Sequence, residues 1–385
     1  VLASCLLPLG NARGKHIVTV EGLNLDELTP VQQAFVDKRA IQCGFCTPGY
    51  VVSMTAFLLG AKEFTHAGAI DALAGNICRC TGYKSIERAA DVIVEKLADA
   101  PAVGDERLGW LVRNRFVPPY FEEIETRLAA FATDPATASG GLILSGGSDL
   151  LVQRPDDVVG KDVRLVHDIP RLKQIRVEDG RCHVGSAVTF NQLRDSDEMR
   201  ALYPQLTGYL GLSGSDLVRN MATVGGNIVN GSPIGDVSIF FCAQDSTLVF
   251  SRGDVRREMP IRDFFVGYKT TAIEPGELLE EVVFDVPDGN THYSFEKTSK
   301  RKHLDMAVVN SGLRISLEDG LIRQACYAVG GLGSTIRVMA ATADYLVGKP
   351  IDAATFHGAN EVAQGEITPR SRPEYKRLLV RQQLF

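Results

Sequence analysis

The sequence has no apolar run approaching the ~20 residues that a membrane-spanning helix needs, and it has no surplus of positive charge. Against 41 Lys and Arg stand 47 Asp and Glu, a formal net charge of −6. Without a basic stripe to track a phosphate backbone, neither a nucleic acid nor a membrane is expected as a partner. Internal repeats and low-complexity segments are absent too. No complete G-x-G-x-x-G follows a strand; Gly331-Leu-Gly333-Ser-Thr-Ile336 is a near miss ending in Ile, so a Rossmann dinucleotide site is not supported. The apolar opening, Val1 to Gly10, lacks a preceding basic segment and is too short for a secretory signal. Nor does the chain begin with Met, and residues ahead of Val1 are expected to be missing.

With 385 residues, 45% apolar and 23% charged, the chain has material for about two or three domains with sizeable cores. Five of its eight cysteines, Cys5, Cys43, Cys46, Cys78 and Cys80, fall in the first 80 residues, whereas Cys182, Cys242 and Cys326 lie singly in apolar, strand-like stretches. A secreted disulfide scaffold is short and cysteine-dense. Crowding at one end points instead to metal ligation in a reducing compartment, the cytoplasm. The last three cysteines read as small buried hydrophobes.

Thr29 and Pro30 mark a helix start, cap followed by proline at the first helical position, and the helix is expected to stop at the Gly44 turn. Pro48 opens a second helix that Gly60 ends, a third fits Ala67 to Leu73, and a fourth fits Ser85 to Ala98, where Ile86, Ala89, Ala90, Ile93, Val94 and Leu97 recur at helical spacing. The stretch from Asp99 to Glu106 has the composition of a linker, and Pro118-Pro119 marks another break. Beyond it, short β-branched segments at Leu142–Leu144, Val163–Val166, Gln174–Val177, Cys182–Val184, Thr247–Phe250 and Leu279–Val286 alternate with helical pieces such as Phe121–Phe131. An apolar run, Met306 to Asn310, and an alternation from Leu313 to Leu317 open a last unit. The fold class is α+β, multidomain, beginning with a four-helix domain.

Cys43-Gly-Phe-Cys46 and Cys78-Arg-Cys80 each sit at a tight turn next to a helix start, so four thiolates can converge. Sulfur-only coordination suits zinc or an iron-sulfur cluster, and spacing does not decide between them. Zinc sites favour two to four intervening residues, and the single residue between Cys78 and Cys80 leans toward iron. Further on, Leu144-Ser-Gly-Gly-Ser-Asp-Leu150 follows a short strand, and its small residues can turn amide N–H groups onto a phosphate. The run Arg219 to Asp236 is richer: paired glycines allow close backbone approach, and Asn227, Asn230, Ser232 and Asp236 supply polar groups. A plain glycine-rich connection is the competing reading of both stretches.

Gln42-Cys-Gly-Phe-Cys-Thr-Pro-Gly49 and Gly75-Asn-Ile-Cys-Arg-Cys-Thr-Gly-Tyr83 resemble, almost letter for letter, the second [2Fe-2S] domain of the molybdenum hydroxylase family, which includes xanthine dehydrogenase and aldehyde oxidase. The resemblance implies that Cys43, Cys46, Cys78 and Cys80 bind the cluster, with Gln42 between it and the molybdopterin of a catalytic domain. Cys5, in Ala-Ser-Cys-Leu with Thr19 to Leu23 following, resembles the last ligand of the family's plant-type [2Fe-2S] domain. One thiolate cannot hold two irons, so that first cluster is expected to be absent from the chain. Both glycine-rich stretches resemble the family's FAD domain, of the vanillyl-alcohol-oxidase type with two α+β subdomains. On that resemblance Ile143, Leu144, Ser145, Gly146, Gly147, Ser148, Asp149 and Leu150 wrap the pyrophosphate. Thr223, Val224, Gly225, Gly226, Asn227 and Asp236 continue the site, and Lys297 falls where the family places a flavin-contacting lysine. The loop Lys300–Asp305 reads as a solvated charge run; its family counterpart borders the nicotinamide site.

The expected order is a remnant of the ferredoxin domain (1–28), a helical [2Fe-2S] domain (29–100), a linker (101–113), an FAD-binding domain (114–288) and a C-terminal flavoprotein domain (289–385). Carbon monoxide dehydrogenases place the iron-sulfur and FAD domains on separate subunits, whereas bacterial xanthine dehydrogenase small subunits join them. The resemblance therefore implies an electron-relay subunit with no catalytic residue of its own. Electrons would pass from a molybdenum centre on a molybdopterin-binding large subunit, in a heterotetramer, through [2Fe-2S] to FAD and NAD as hypoxanthine or xanthine is oxidised. The alternatives are the small subunit of an aldehyde or N-heterocycle hydroxylase and, from another class, a stand-alone flavin oxidoreductase with a structural zinc domain.

Overall fold

The structure, a computed structural model, describes residues 1–101, 104–131, 141–301 and 304–384. Residues 102–103 of the expected linker and Lys302 and His303 of the charged loop lie outside the described residues. The chain divides into two units, Val1–Asp134 with Ser215–Val218, and Pro135–Gly214 with Arg219–Phe385.

In the first unit, helix α1 spans Pro30–Asp37. Thr29 and Gln32 cap it reciprocally: Gln32 N donates to Thr29 Oγ1 at 3.3 Å and Thr29 N to Gln32 Oε1 at 2.8 Å. It ends before the expected Gly44 turn because Arg39 adopts φ 53°, and Ala40 N bonds back to the Phe35 carbonyl at 2.8 Å, a left-handed stop built without glycine. Helices α2, Thr47–Gly60, α3, His66–Leu73, and α4, Lys84–Glu95, follow. On and just after α4, Ile86, Ala89, Ala90, Ile93 and Leu97 are all buried and pack with Phe35, Met54 and Leu58 in one core.

The expected linker 101–113 contains a helix instead, α5, Asp105–Arg113. Its Leu111 is fully buried in the helical core, and the buried Arg107 donates to the Pro101 carbonyl at 3.0 Å and to the Ala61 carbonyl. The linker-like stretch Asp99 to Glu106, which runs into its first turn, concealed an apolar face carried by Leu108, Leu111 and Val112. Phe116, Val117 and Phe121 join the same core, and α6, Ile124–Ala129, follows a 3-10 turn. Residues 1–28 form three 3-10 turns, and the last of them buries Leu23 in this core.

The second unit opens with a parallel pair, β1, Leu142–Leu144, and β2, Val163–Leu165. Strands β3, Ile175–Glu178, and β4, Arg181–Gly185, then β5, Thr247–Arg252, and β6, Val255–Pro260, belong to a five-stranded sheet. A small hairpin, β7, Phe265–Gly267, and β8, Thr270–Thr271, precedes the central strand β9, Leu278–Asp285. The sheet order is β3-β4-β9-β5-β6 with every neighbour antiparallel, the opposite of a parallel dinucleotide fold. The second sheet is β10, Thr291–Thr298, β11, Val309–Glu318, β12, Leu321–Gly330, and β13, Arg337–Val338, in that order and antiparallel. Of the apolar run Met306–Asn310, only Val309 and Asn310 are strand.

The helix Asp236–Ala243 is buried along its whole length after Asp236 and packs on β11 and β12. One core joins its Phe240 and Phe241 to Phe284 of β9, Phe295 of β10 and Ala328 of β12. Cys182 and Cys242 lie within that core as buried thiols, and Cys326, also buried, donates to the Cys242 carbonyl at 3.4 Å. The architecture is multidomain α+β, and no helix among the described residues is long and apolar enough to cross a membrane.

Candidate functional site

The turn that ends at Cys46, the residue capping α2, and the loop between α3 and α4 bring four thiols together. Cys80 Sγ lies 3.6 Å from Cys43 Sγ, and Cys46 donates a hydrogen bond to the Cys78 sulfur. In each pair the donor thiol is raised and the acceptor thiol lowered. Cys78 is brought down to about 7, chiefly by the Thr81 hydroxyl, 3.1 Å from its sulfur, and by the Thr81 N–H at 3.4 Å. Burial, then the bond to Cys78, pushes Cys46 up to about 11. A backbone bond from Phe45 lowers Cys43, and donating to Cys43 raises Cys80.

No group of three or more His, Cys, Asp or Glu among the described residues is arranged to hold a single metal ion. The two sulfur pairs, Cys43 with Cys80 and Cys46 with Cys78, bring together the four thiolate donors that a two-iron cluster takes. Cys5 is exposed on the first 3-10 turn.

Residues with no sulfur hold these turns. Asn76 donates to Ser53 Oγ of α2 at 2.8 Å, its carbonyl accepts from the Tyr50 hydroxyl at 2.9 Å, and the Tyr83 hydroxyl accepts from Cys78 N at 3.3 Å. Sequence reasoning gave these residues no role, although Asn76, Thr81 and Tyr83 lie inside the second cysteine motif. Phe45 is 93% and Ile77 73% exposed, so apolar side chains stand in solvent beside the thiols, and Gln42 is exposed as well.

In the second unit β1 runs into the turn Ser145–Asp149, and Leu150 begins a short helix. A Cβ on Gly146 would lie 1.7 Å from the Met221 carbonyl oxygen, so this turn is pressed against the residues leading to Thr223. Ile143, Gly147 and Ser148 are half-buried, and Asp149 sits 3.7 Å from Lys269 and accepts from Gln153 at 2.7 Å. Gly147 turns with φ 73°, the kind of bend in which consecutive amides face one anion.

Thr223 caps the helix Val224–Val229 by accepting from Gly226 N at 3.2 Å, while Val224 N and Gly225 N bond to the Val188 and Ser186 carbonyls. Asn227 accepts from Ser238 N at 3.0 Å and from Ser238 Oγ at 2.9 Å, which ties the two helices. Asp236 is the hub. Its Oδ2 accepts from Lys297 Nζ at 2.6 Å and Ser213 Oγ at 3.0 Å, and its Oδ1 accepts from Asn310 Nδ2 at 2.7 Å.

Lys297 is 3% exposed and also donates to the Leu212 carbonyl at 2.9 Å. Its ammonium is thus occupied within the protein and acts on its surroundings through Asp236. The turns and polar groups present fit a flavin dinucleotide. Of two cavities of about 350 and 380 Å³, the first is walled by Phe35, Val36 and Ile41 with Gly44 and Thr47 of the cysteine turn, and the second by Arg171, Arg176 and Arg256.

Three family models match in succession: a [2Fe-2S] binding domain over residues 19–91, the FAD binding domain in molybdopterin dehydrogenase over 123–287, and the CO dehydrogenase flavoprotein C-terminal domain over 294–385. Xanthine dehydrogenase 1 of Arabidopsis thaliana is 27% identical over 94% of this chain and 32% of its own length. For xanthine dehydrogenase of Emericella nidulans the figures are 27%, 92% and 31%. The chain belongs to the molybdenum hydroxylase family. Within the molybdenum hydroxylases it corresponds to the iron-sulfur and FAD part.

Aldehyde oxidase 1 of Bos taurus matches at 26% identity over 99% of this chain and 34% of its own. The chain spans about a third of the length of the curated relatives it matches. Two solved structures share the fold: reconstituted CO dehydrogenase from Oligotropha carboxidovorans, TM-score 0.59 at 25% identity, and quinoline 2-oxidoreductase from Pseudomonas putida 86, TM-score 0.57 at 25% identity. Each covers 63% of this chain and 86% of its own.

Proposed function

We propose that the chain relays electrons from a molybdenum centre, on a molybdopterin-binding partner subunit in a heterotetramer, through [2Fe-2S] and FAD to NAD+, as in a cytoplasmic xanthine dehydrogenase. The observation that carries this reading is the meeting of the four sulfurs as two pairs in a chain that also bears an FAD-binding domain. When bound, the cluster moves single electrons and FAD converts them into a hydride-equivalent pair.

The chain's own residues would hold these groups. Cys43, Cys46, Cys78 and Cys80 would hold the irons, and the Thr81 hydroxyl steadies the Cys78 sulfur. Ile143 to Leu150 would hold the pyrophosphate, Thr223 to Asn227 would continue the flavin site, and Asp236, its charge balanced by Lys297, would belong to it as well. A second substrate reading, an aldehyde or an N-heterocycle in place of a purine, is favoured by the likeness to an aldehyde oxidase and to a quinoline oxidoreductase.

The test is iron and FAD quantitation on the purified complex, followed by turnover with hypoxanthine, xanthine, an aldehyde and quinoline, each with NAD+ or oxygen as acceptor. About two irons on these cysteines and one FAD per chain, with NAD+ reduction by xanthine, support the proposal. One zinc and no flavin would defeat it. Turnover of only the aldehyde or quinoline would move the substrate and leave the relay.

A further inference from the structure

Asn310, the second residue of β11, is fully buried, although the sequence marks it only as the end of an apolar run. It lies in the C-terminal flavoprotein domain, whereas Asp236 belongs to the FAD-binding domain. Its Nδ2 reaches Asp236 Oδ1 at 2.7 Å and the Ile234 carbonyl at 3.2 Å, so it grips both the carboxylate and the turn that carries it. Its Oδ1 is buried with no hydrogen-bond partner, and a buried acceptor left without a donor is destabilising. That oxygen faces Gly330, the register partner of Asn310 on β12, and a Cβ there would stand 2.1 Å from it.

Two features follow. The amide has one tolerable orientation, because a flip would set its oxygen against a carboxylate. A side chain at position 330 would push the amide away from Asp236. The other oxygen of Asp236 is held by Lys297 and Ser213, so the carboxylate is fixed from three directions and only Asn310 serves Oδ1 among the bonds at that atom described above.

We infer that Asn310 is a positioning residue of the flavin site, acting through Asp236, and that the bare Cα of Gly330 is what lets it reach. The inference rests on the reading of Asp236 as a flavin-site residue. It makes FAD retention a joint property of the two domains.

The test is a double-mutant cycle on the FAD dissociation constant of the full chain, measured by flavin fluorescence after flavin removal, with melting temperature and iron content followed in parallel. Asn310→Ala is expected to weaken FAD by about tenfold, the size of one hydrogen bond to a charged group. In an Asp236→Asn background the same change is expected to add less than about twofold, because interacting residues are non-additive. Asn310→Ser, too short to reach Asp236, replaces the alanine variant if that chain does not fold.

FAD affinity within about twofold of the parent in the Asn310 variant overturns the inference when Asp236→Asn weakens binding. Full additivity in the cycle overturns it as well, because it shows a structural role independent of Asp236. Undiminished binding in Asp236→Asn alone strikes the underlying reading of the site instead.

Discussion

At the scale of one residue, much of the cluster loop's shape rests on Asn76. Its side-chain amide bridges Ser53 on α2 and the end of α3, and its main-chain carbonyl takes the Tyr50 hydroxyl. Asn76→Ala is expected to destabilise the first unit by about 1–3 kcal/mol, the usual effect of leaving buried partners unmet. It should also lower iron retention; urea unfolding and iron per chain check both, and unchanged values would remove Asn76 from the site. Gly146 is the counterpart in the second unit. With a Cβ facing the Met221 carbonyl at 1.7 Å, Gly146→Ala forces two backbone segments apart. The expected outcome is a loss of stability of at least about 2 kcal/mol together with loss of FAD, read by denaturant midpoint and flavin absorbance.

Among elements, β9 carries an acid-sensitive bond set. Glu281, whose side chain is 8% exposed, meets Arg176 at 2.8 Å, Arg256 at 2.7 Å and His183 at 3.4 Å. Burial alone would raise its pKa, but the hydrogen bond and charge of Arg176 outweigh burial and hold it below the ordinary carboxylate value. Just before β9, Glu277 is lowered chiefly by its hydrogen bonds with Arg257, at 2.7 and 2.6 Å. A folded-state pKa below the unfolded one contributes stability that is present above about pH 4.3 and is lost as pH falls through the folded values. The second unit should therefore melt at progressively lower temperature from about pH 5 downward. Glu281→Gln should flatten that fall while lowering stability at neutral pH, where it leaves Arg176 and Arg256 short of a partner; calorimetry across pH checks this.

Elements also show how legibility varied. α1 was readable because Thr29 and Pro30 are local signals, and the apolar face of α4 because its period is undiluted. α5 was hidden by its polar composition, and β6 by its charged residues, which stand mostly exposed on a strand that, among the described residues, forms the edge of its sheet beside β5. Strength of local signal, not importance, decided which elements could be seen.

For the whole molecule, each unit has its own hydrophobic core, and the two cofactor domains are matched separately along the chain. Iron removal by a chelator under reducing conditions should lower the melting of the first unit by roughly 10 °C, since metal-binding free energy is folding free energy. FAD content should hardly change. Flavin released in step with iron would show instead that the two cofactor sites are not separable.

The residues themselves determined the class of chemistry: cysteines crowd near one end at ligand spacing, and glycine with small polar residues follows short strands, because coordination and close backbone approach demand those residue types wherever they occur. Which thiol pairs with which, that Lys297 is enclosed with Asp236, and that Asn310 and Gly330 stand behind that carboxylate were decided only by the tertiary structure. Those contacts join positions tens of residues apart, and the packing that sets them leaves no periodic or local trace along the chain.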